Sequence, residues 1–105
     1  MRIGNRGEVW FVLDEVGKER PYVIVTNENT LAEIDHSIVK VTSHEVRNQF
    51  DIPIEDLETA GLNRPSIVRC SKLMTIHQNL LRFKVGNLSE QDFNRVISTI
   101  KEYFS

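Results

Sequence analysis

Apolar and polar positions alternate with a period of two through most of the chain and take up a helical period only at its end. Glu8 to Leu13, EVWFVL, is aromatic and β-branched, which predicts a strand. It runs into DEVGKERP, where Gly17 and Pro21 punctuate a turn, and then into Tyr22 to Thr26, YVIVT, too short for a helix. A tight hairpin joining these two strands is expected. Asn27 to Asp35 is polar, with one helical turn expected around Leu31 to Ile34. In Ser37 to Ser43, SIVKVTS, Val39 and Val41 share one face while Lys40 and Thr42 share the other, the mark of a third strand. Phe50 to Ile54 is a shorter strand that Pro53 confines to a sheet edge. Glu55 to Ala60 reads as a helical turn closed by Gly61.

Pro65 to Ile76, PSIVRCSKLMTI, is extended, with Ile67, Arg69, Ser71 and Leu73 on one side and Val68, Cys70 and Lys72 on the other. That phase cannot hold over the whole run, so a bend or bulge is expected near Ser71. Leu81 to Val85 is the next strand, with Arg82 and Lys84 on one face. Ser89 is placed to cap a helix whose first turn carries Glu90 and Asp92, carboxylates that suit exposed amides. Phe93, Val96, Ile97, Ile100 and Phe104 then recur at helical spacing, which gives an amphipathic helix of about four turns. Short strands followed by one helix predict a mainly β domain: a strongly bent barrel with a C-terminal amphipathic helix. With no repeat or linker in its 105 residues, residues 1–105 are expected to form a single domain.

Composition changes this picture only in places. The single cysteine, Cys70, excludes an internal disulfide and a zinc ribbon, and fits a reducing, cytoplasmic setting. Met1 to Arg6 lacks the apolar run of a secretory signal, and no segment approaches the roughly 20 apolar residues that span a bilayer. A soluble protein with no membrane partner is expected. The net charge of −2 conceals an asymmetry. Most acids lie before Thr59, whereas Thr59 to Ser89 contains none and holds Arg64, Arg69, Lys72, Arg82 and Lys84. Such a stretch is either an anion-binding face or an ordinary solvated surface.

Several segments, in order, resemble one family. RGEVWFV is similar to the opening strand of MazF/PemK toxins, RPYVIVTNE to their Arg-Pro motif and apolar strand, and VTS at Val41 to Ser43 to their Thr-Ser element. AGLNRPSIVRCSKLMTIH and NLSEQDFNRVISTI resemble the later strand and the helix entry, and Val-Arg-Cys is similar to the Kid/PemK branch. The resemblance implies an SH3-like barrel of the CcdB/Kid/MazF class and a homodimer. It further implies the toxin of a type II toxin–antitoxin system, restrained by an antitoxin with an acidic, disordered tail. The activity implied is an endoribonuclease, an mRNA interferase that cuts single-stranded RNA through the substrate's own 2′-hydroxyl with no metal or other cofactor.

By the same resemblance, Arg20 and Thr42 are the catalytic pair. Arg20 would stabilise charge on the phosphorane with its planar donor fork, and Thr42 would hold a phosphate oxygen. On residue type alone, an ion pair of Arg20 with Glu19 or Asp14, and a Thr42 chosen for its strand preference, explain both positions equally well. Glu19, Ser43, Arg69 and Ser71 are the expected RNA contacts. Glu19 is the nearest carboxylate able to act as base, and Ser71 stands where the Kid-like branch has an aspartate. The loop between Asp14 and Arg20 is shorter than the family's usual one. His44 adjoins the Thr-Ser element, where an imidazole suits proton transfer or is simply a loop residue; His36 and His77 have no assigned role. Cys70 is expected to be a buried apolar residue, and at least one of Trp10 and Phe11 to pack in the core while the other is free to stack on bases. The alternative is a non-catalytic, CcdB-like member that acts by binding protein.

Overall fold

The computed structural model describes residues 2–29 and 34–105. The chain forms β1 (Glu8–Leu13), β2 (Glu19–Ile24), β3 (Asp35–Thr42), β4 (Asp51–Pro53), α1 (Leu57–Ala60), β5 (Ile67–His77), a short 3₁₀ turn (Gln78–Leu80), β6 (Leu81–Asn87) and α2 (Glu90–Tyr103). All pairings are antiparallel, in the order β4-β5-β3-β2-β1-β6. This is the mainly β class with a terminal helix that the sequence predicts. The hydrogen-bonded ladder is open, with β4 and β6 as its edges. α2 lies against β5 and β4, and α1 against β6, so helices rather than a closing strand pair cover that side. Pro53, which has no N–H to give a ladder, sits on an edge strand as expected. The helical turn expected at Leu31 to Ile34 lies largely outside the described residues.

Both faces of the sheet are apolar, and this forces the curl. Alternate residues of β2 and β3 feed two separate clusters: Val23, Val39 and Val41 enter one, Tyr22, Ile24 and Ile38 the other. The first cluster is closed by Val96 of α2, with Phe93, Ile97 and Ile100 packed against it. The second holds Val12, Ile76 and Leu81. A flat sheet would leave the second cluster wet. β5 makes the bend: Lys40 faces Arg69, but its neighbour Val39 already faces Leu73. The residues between, Cys70 to Lys72, form the bulge expected near Ser71. Ahead of it Ile67 to Cys70 are all buried, and after it Lys72 to Thr75 are exposed. The simple two-sided alternation expected for this strand is lost because β4 and β3 flank its first half while α2 covers it.

The helices are fixed by identifiable local chemistry. Ser89 caps α2, its hydroxyl accepting the Asp92 N–H at 3.1 Å. Asp92, 2% exposed, accepts the N–H groups of Asp56 (3.0 Å) and Glu55 (3.2 Å) and pairs with Arg95, which ties the loop after β4 to the helix start. Phe104 is not part of the apolar stripe: it is 63% exposed, because the helix ends at Tyr103 and the chain turns away. Gly61 closes α1 in the left-handed region (φ 75°), and a Cβ there would stand 2.1 Å from the Val85 carbonyl oxygen. Gly86 makes the reciprocal contact, its Cβ position 2.5 Å from the Ala60 carbonyl carbon. Two glycines thus let the α1 backbone touch β6 and hold the following loop, 62–66, over the sheet end.

Candidate functional site

The β1–β2 hairpin is tight. Asp14 and Lys18 close it through an N–H···O bond of 2.8 Å, and the Asp14 carboxylate accepts the N–H groups of Val16 and Lys18. One oxygen of that carboxylate, Oδ1, is therefore taken up by its own turn. Beside this hairpin opens a groove of about 580 Å³. Its walls are the hairpin, Arg20 to Tyr22 of β2, Lys40 to Thr42 of β3 with Ser43 and His44 beyond, and the loop from Leu62 to Arg64 with Ser66. The loop is stiffened by Ser66, whose hydroxyl donates to the Arg64 carbonyl at 3.0 Å.

The charge inside is one-sided. Lys18, Arg20, Lys40 and Arg64 line the groove against one carboxylate, Asp14. Among the described residues none of these cationic side chains has a hydrogen bond or an ion pair; every ion pair formed lies elsewhere. The ion pair of Arg20 with Glu19 or Asp14 left open by the sequence is thus not made. Thr42 accepts the His44 N–H at 3.3 Å, which leaves its own hydroxyl proton to donate into the groove. Tyr22 faces Lys40 across the ladder. Burial, and then Asp14, push its phenol up from the ordinary value, so it stays a neutral donor.

Of the expected site residues, Arg20, Thr42 and Ser43 meet in this groove. Glu19, Arg69 and Ser71 do not. Glu19 does not line the groove, and its carboxylate lies 3.9 Å from Arg82. Arg69 lies elsewhere: it is 4% exposed and its guanidinium donates to Asp51 Oδ2 at 2.6 Å, across the β4–β5 pair. Arg69 stands opposite Lys40 across the β3–β5 pair, but its guanidinium is turned to Asp51 and it does not line the groove. Ser71 falls in the β5 bulge, half-buried and away from the groove.

Lys18 and Lys40 are groove residues that the sequence did not single out, Arg64 was marked only as part of the acid-free stretch, and His44 gains weight. The acid-free stretch from Thr59 to Ser89 supplies only Arg64; Arg82 and Lys84 are paired with Glu19 and Glu8. The groove's other cations come from the acidic half of the chain, and no count along the sequence marks them. Cys70 is buried as expected, its thiol pushed up to about 12 by burial and by Asp51. His36, 1% exposed, joins the N-terminal segment to the sheet through the Ile3 carbonyl (2.7 Å) and Thr26 (2.6 Å).

The described residues thus form a small curled β-sheet capped by a terminal helix, with a groove at its end lined by four cations and one carboxylate. Residues 5–104 match the family of PemK-like, MazF-like toxins of type II toxin–antitoxin systems, and the chain belongs to that family. Its fold is similar to the Mycobacterium tuberculosis toxin MazF-mt6, with 22% identity and a TM-score of 0.79 over 92% of this chain and 95% of that one. It is similar also to an endoribonuclease in complex with its cognate antitoxin from a mycobacterial species (16% identity, TM-score 0.82, 97% and 95% of the two chains). A MazE–MazF complex from Deinococcus radiodurans agrees at 12% identity and a TM-score of 0.80, covering 98% and 96%. No curated sequence matches the chain. No helix among the described residues is long and apolar enough to cross a membrane.

Proposed function

We propose that this toxin is a cytoplasmic, metal-independent endoribonuclease that cuts single-stranded RNA in the groove between the β1–β2 hairpin, β3 and the 62–66 loop. The observation that carries the reading is the set of cations facing the groove with no counter-ion of their own. Such charges are costly to gather unless an anion meets them, and a phosphodiester strand supplies one charge per residue.

In this reading the RNA 2′-hydroxyl attacks the adjacent phosphorus, the bond to the 5′-oxygen breaks, that oxygen takes a proton from solvent, and a 2′,3′-cyclic phosphate and a free 5′-hydroxyl result. Arg20 donates to the phosphorane oxygens as their charge rises, and Thr42 donates its free hydroxyl proton to one of them. Lys18, Lys40 and Arg64 hold flanking phosphates. The proton of the 2′-hydroxyl passes to a base; with Glu19 outside the groove, His44 is the groove residue whose imidazole suits that transfer at neutral pH. The same cations suit the acidic tail of an antitoxin, by extension from the toxin–antitoxin complexes this fold resembles. A homodimer likewise belongs to this reading.

The test is incubation of the purified protein, with EDTA present, on a long unstructured RNA beside Arg20→Ala. Arg20 is exposed, so the variant should unfold at the wild-type midpoint. Wild type should give fragments with cyclic phosphate ends, and Arg20→Ala should be slower by about 10²–10³-fold. An intact RNA under wild type would favour the non-catalytic, protein-binding alternative; equal cleavage by both would remove Arg20 from the site.

A further inference from the structure

An apolar row leads out of the groove toward the sheet edge. Pro21 of β2, Phe11 of β1 and Phe83 of β6 are successive cross-strand neighbours. Side chains opposite one another across an antiparallel pair share a face. Pro21 and Phe11 line the groove, and Phe83 lies stacked on Phe11, with ring centroids 4.8 Å apart and an interplanar angle of 10°. Phe83 is nonetheless 50% exposed and belongs to neither core cluster. The β1–β6 ladder slips on both sides of this pair, between Val9 and Trp10 and again between Phe11 and Val12. Such bulges re-aim side chains and are frequent beside active sites. The neighbouring aromatic behaves differently: Trp10 packs on the second core cluster and spends its indole N–H on Glu8 at 2.9 Å.

We propose that the Phe11–Phe83 stack is the platform on which one nucleobase of the bound RNA rests, next to the phosphate that Arg20 and Thr42 engage. This rests on the RNA-cleavage reading above. The occupant is a nucleobase because the row is continuous with a groove whose free charges are cationic. Arg82 and Lys84, on either side of Phe83 in β6, are held by Glu19 and Glu8, so the cations open to an anion are those of the groove, and a nucleic acid strand carries flat rings beside its anions. The platform also supplies a physical reason for a single-strand requirement: a duplex base has both faces covered by its neighbours, whereas an unpaired base is free to turn one toward Phe83.

The experiment uses short 2′-deoxy strands, which lack the attacking hydroxyl, carrying 2-aminopurine at each position in turn. One position should lose fluorescence on binding wild type. Phe83→Ala should abolish that quench and weaken binding about ten- to a hundredfold, and Phe83→Trp should restore both. An abasic site at that position should weaken wild type and leave Phe83→Ala unchanged. Because Phe83 is half exposed, equal urea midpoints show that the variants fold. Wild-type binding and cleavage by Phe83→Ala, with cleavage still dependent on Arg20, overturns the platform and leaves the function standing. No RNA binding by wild type overturns both. An altered sedimentation coefficient for Phe83→Ala with unaltered RNA affinity assigns the ring to contact with a second copy instead, and also overturns the platform.

Discussion

Asp51→Asn is the most informative single change, because it separates a structural Arg69 from an RNA-binding one. The side chains of Arg69 and Asp51 are 5% and 1% exposed, and they meet through one N–H···O contact of 2.6 Å. The same carboxylate oxygen accepts the Arg47 N–H at 2.8 Å, and among the described residues Arg69 Nη2 has no hydrogen-bond partner. The pair is thus a single contact rather than a two-pronged fork, and the guanidinium already carries one unmet donor. Removing the charge of Asp51 leaves a buried cation uncompensated, which costs about 3–5 kcal/mol. A domain of this size holds about 5–15 kcal/mol in total. With a urea slope of about 1–3 kcal/mol per molar, the unfolding midpoint should fall by about 2 M. Trp10, the one tryptophan in the chain, reports the transition by fluorescence. The paired apolar variant Arg69→Met with Asp51→Leu removes both desolvated charges and should recover most of the loss. It should also still cleave RNA. A loss under about 1 kcal/mol in Asp51→Asn would refute the buried pair, and a well-folded double variant without activity would return Arg69 to the site.

Burial lowers the pKa of His36, against the pull of the Ile3 carbonyl and with the push of Arg2. The unfolded chain then binds the extra proton first, so this contribution is complete above about pH 6.5 and drains away as pH falls below it. The urea midpoint should drop between pH 7.5 and 5.5, and His36→Gln should flatten that slope; an unchanged slope in the variant would sink the assignment. Glu8 and Asp92 are both held below ordinary carboxylate values: burial acts to raise them, but the Trp10 indole in one case and the Asp56 and Glu55 amides in the other outweigh it. Their contribution should be lost only as pH falls below about 4, seen as a second, steeper decline in the midpoint. Gly86→Ala forces a Cβ to within 2.5 Å of the α1 backbone and should cost about 1–3 kcal/mol, whereas Gly17→Ala, with nothing within 4 Å, should show only the strain of its φ of 81°; equal melting points for the two would refute the close approach. Cys70, with its thiol near 12 and no exposed surface, should resist iodoacetamide in the native protein at pH 8 and react only on unfolding. Modification at native conditions would contradict its burial.

What could be read along the chain was whatever a short window contains. β1 was legible to the residue, since an uninterrupted aromatic and β-branched run has no other stable use. The Ser89 cap, the Gly61 stop and the edge position of Pro53 each depend on a backbone property of one residue. The bulge near Ser71 was legible because no single phase can bury both Val68 and Leu73 to advantage. The family resemblance placed Arg20, Thr42 and Ser43, whose neighbours in sequence carry the motifs.

Long-range pairing decided the rest. Arg69 and Asp51 are separated by 18 positions, and neither residue type announces a buried partner. Only the β4–β5 register turns an apparent phosphate contact into an internal ion pair. Glu19 and Arg20 are adjacent in sequence, yet one stands beside Arg82 of β6 and the other lines the groove. Lys18, Lys40 and Arg64 come from a hairpin, a strand and a loop; they become one site because the curl that buries two apolar clusters also brings those three elements to one end of the sheet. Local sequence sets which way each backbone segment turns, since that depends on sterics within a few residues. Which charges stand together depends on contacts between segments far apart, and those exist only once the sheet has closed over its core.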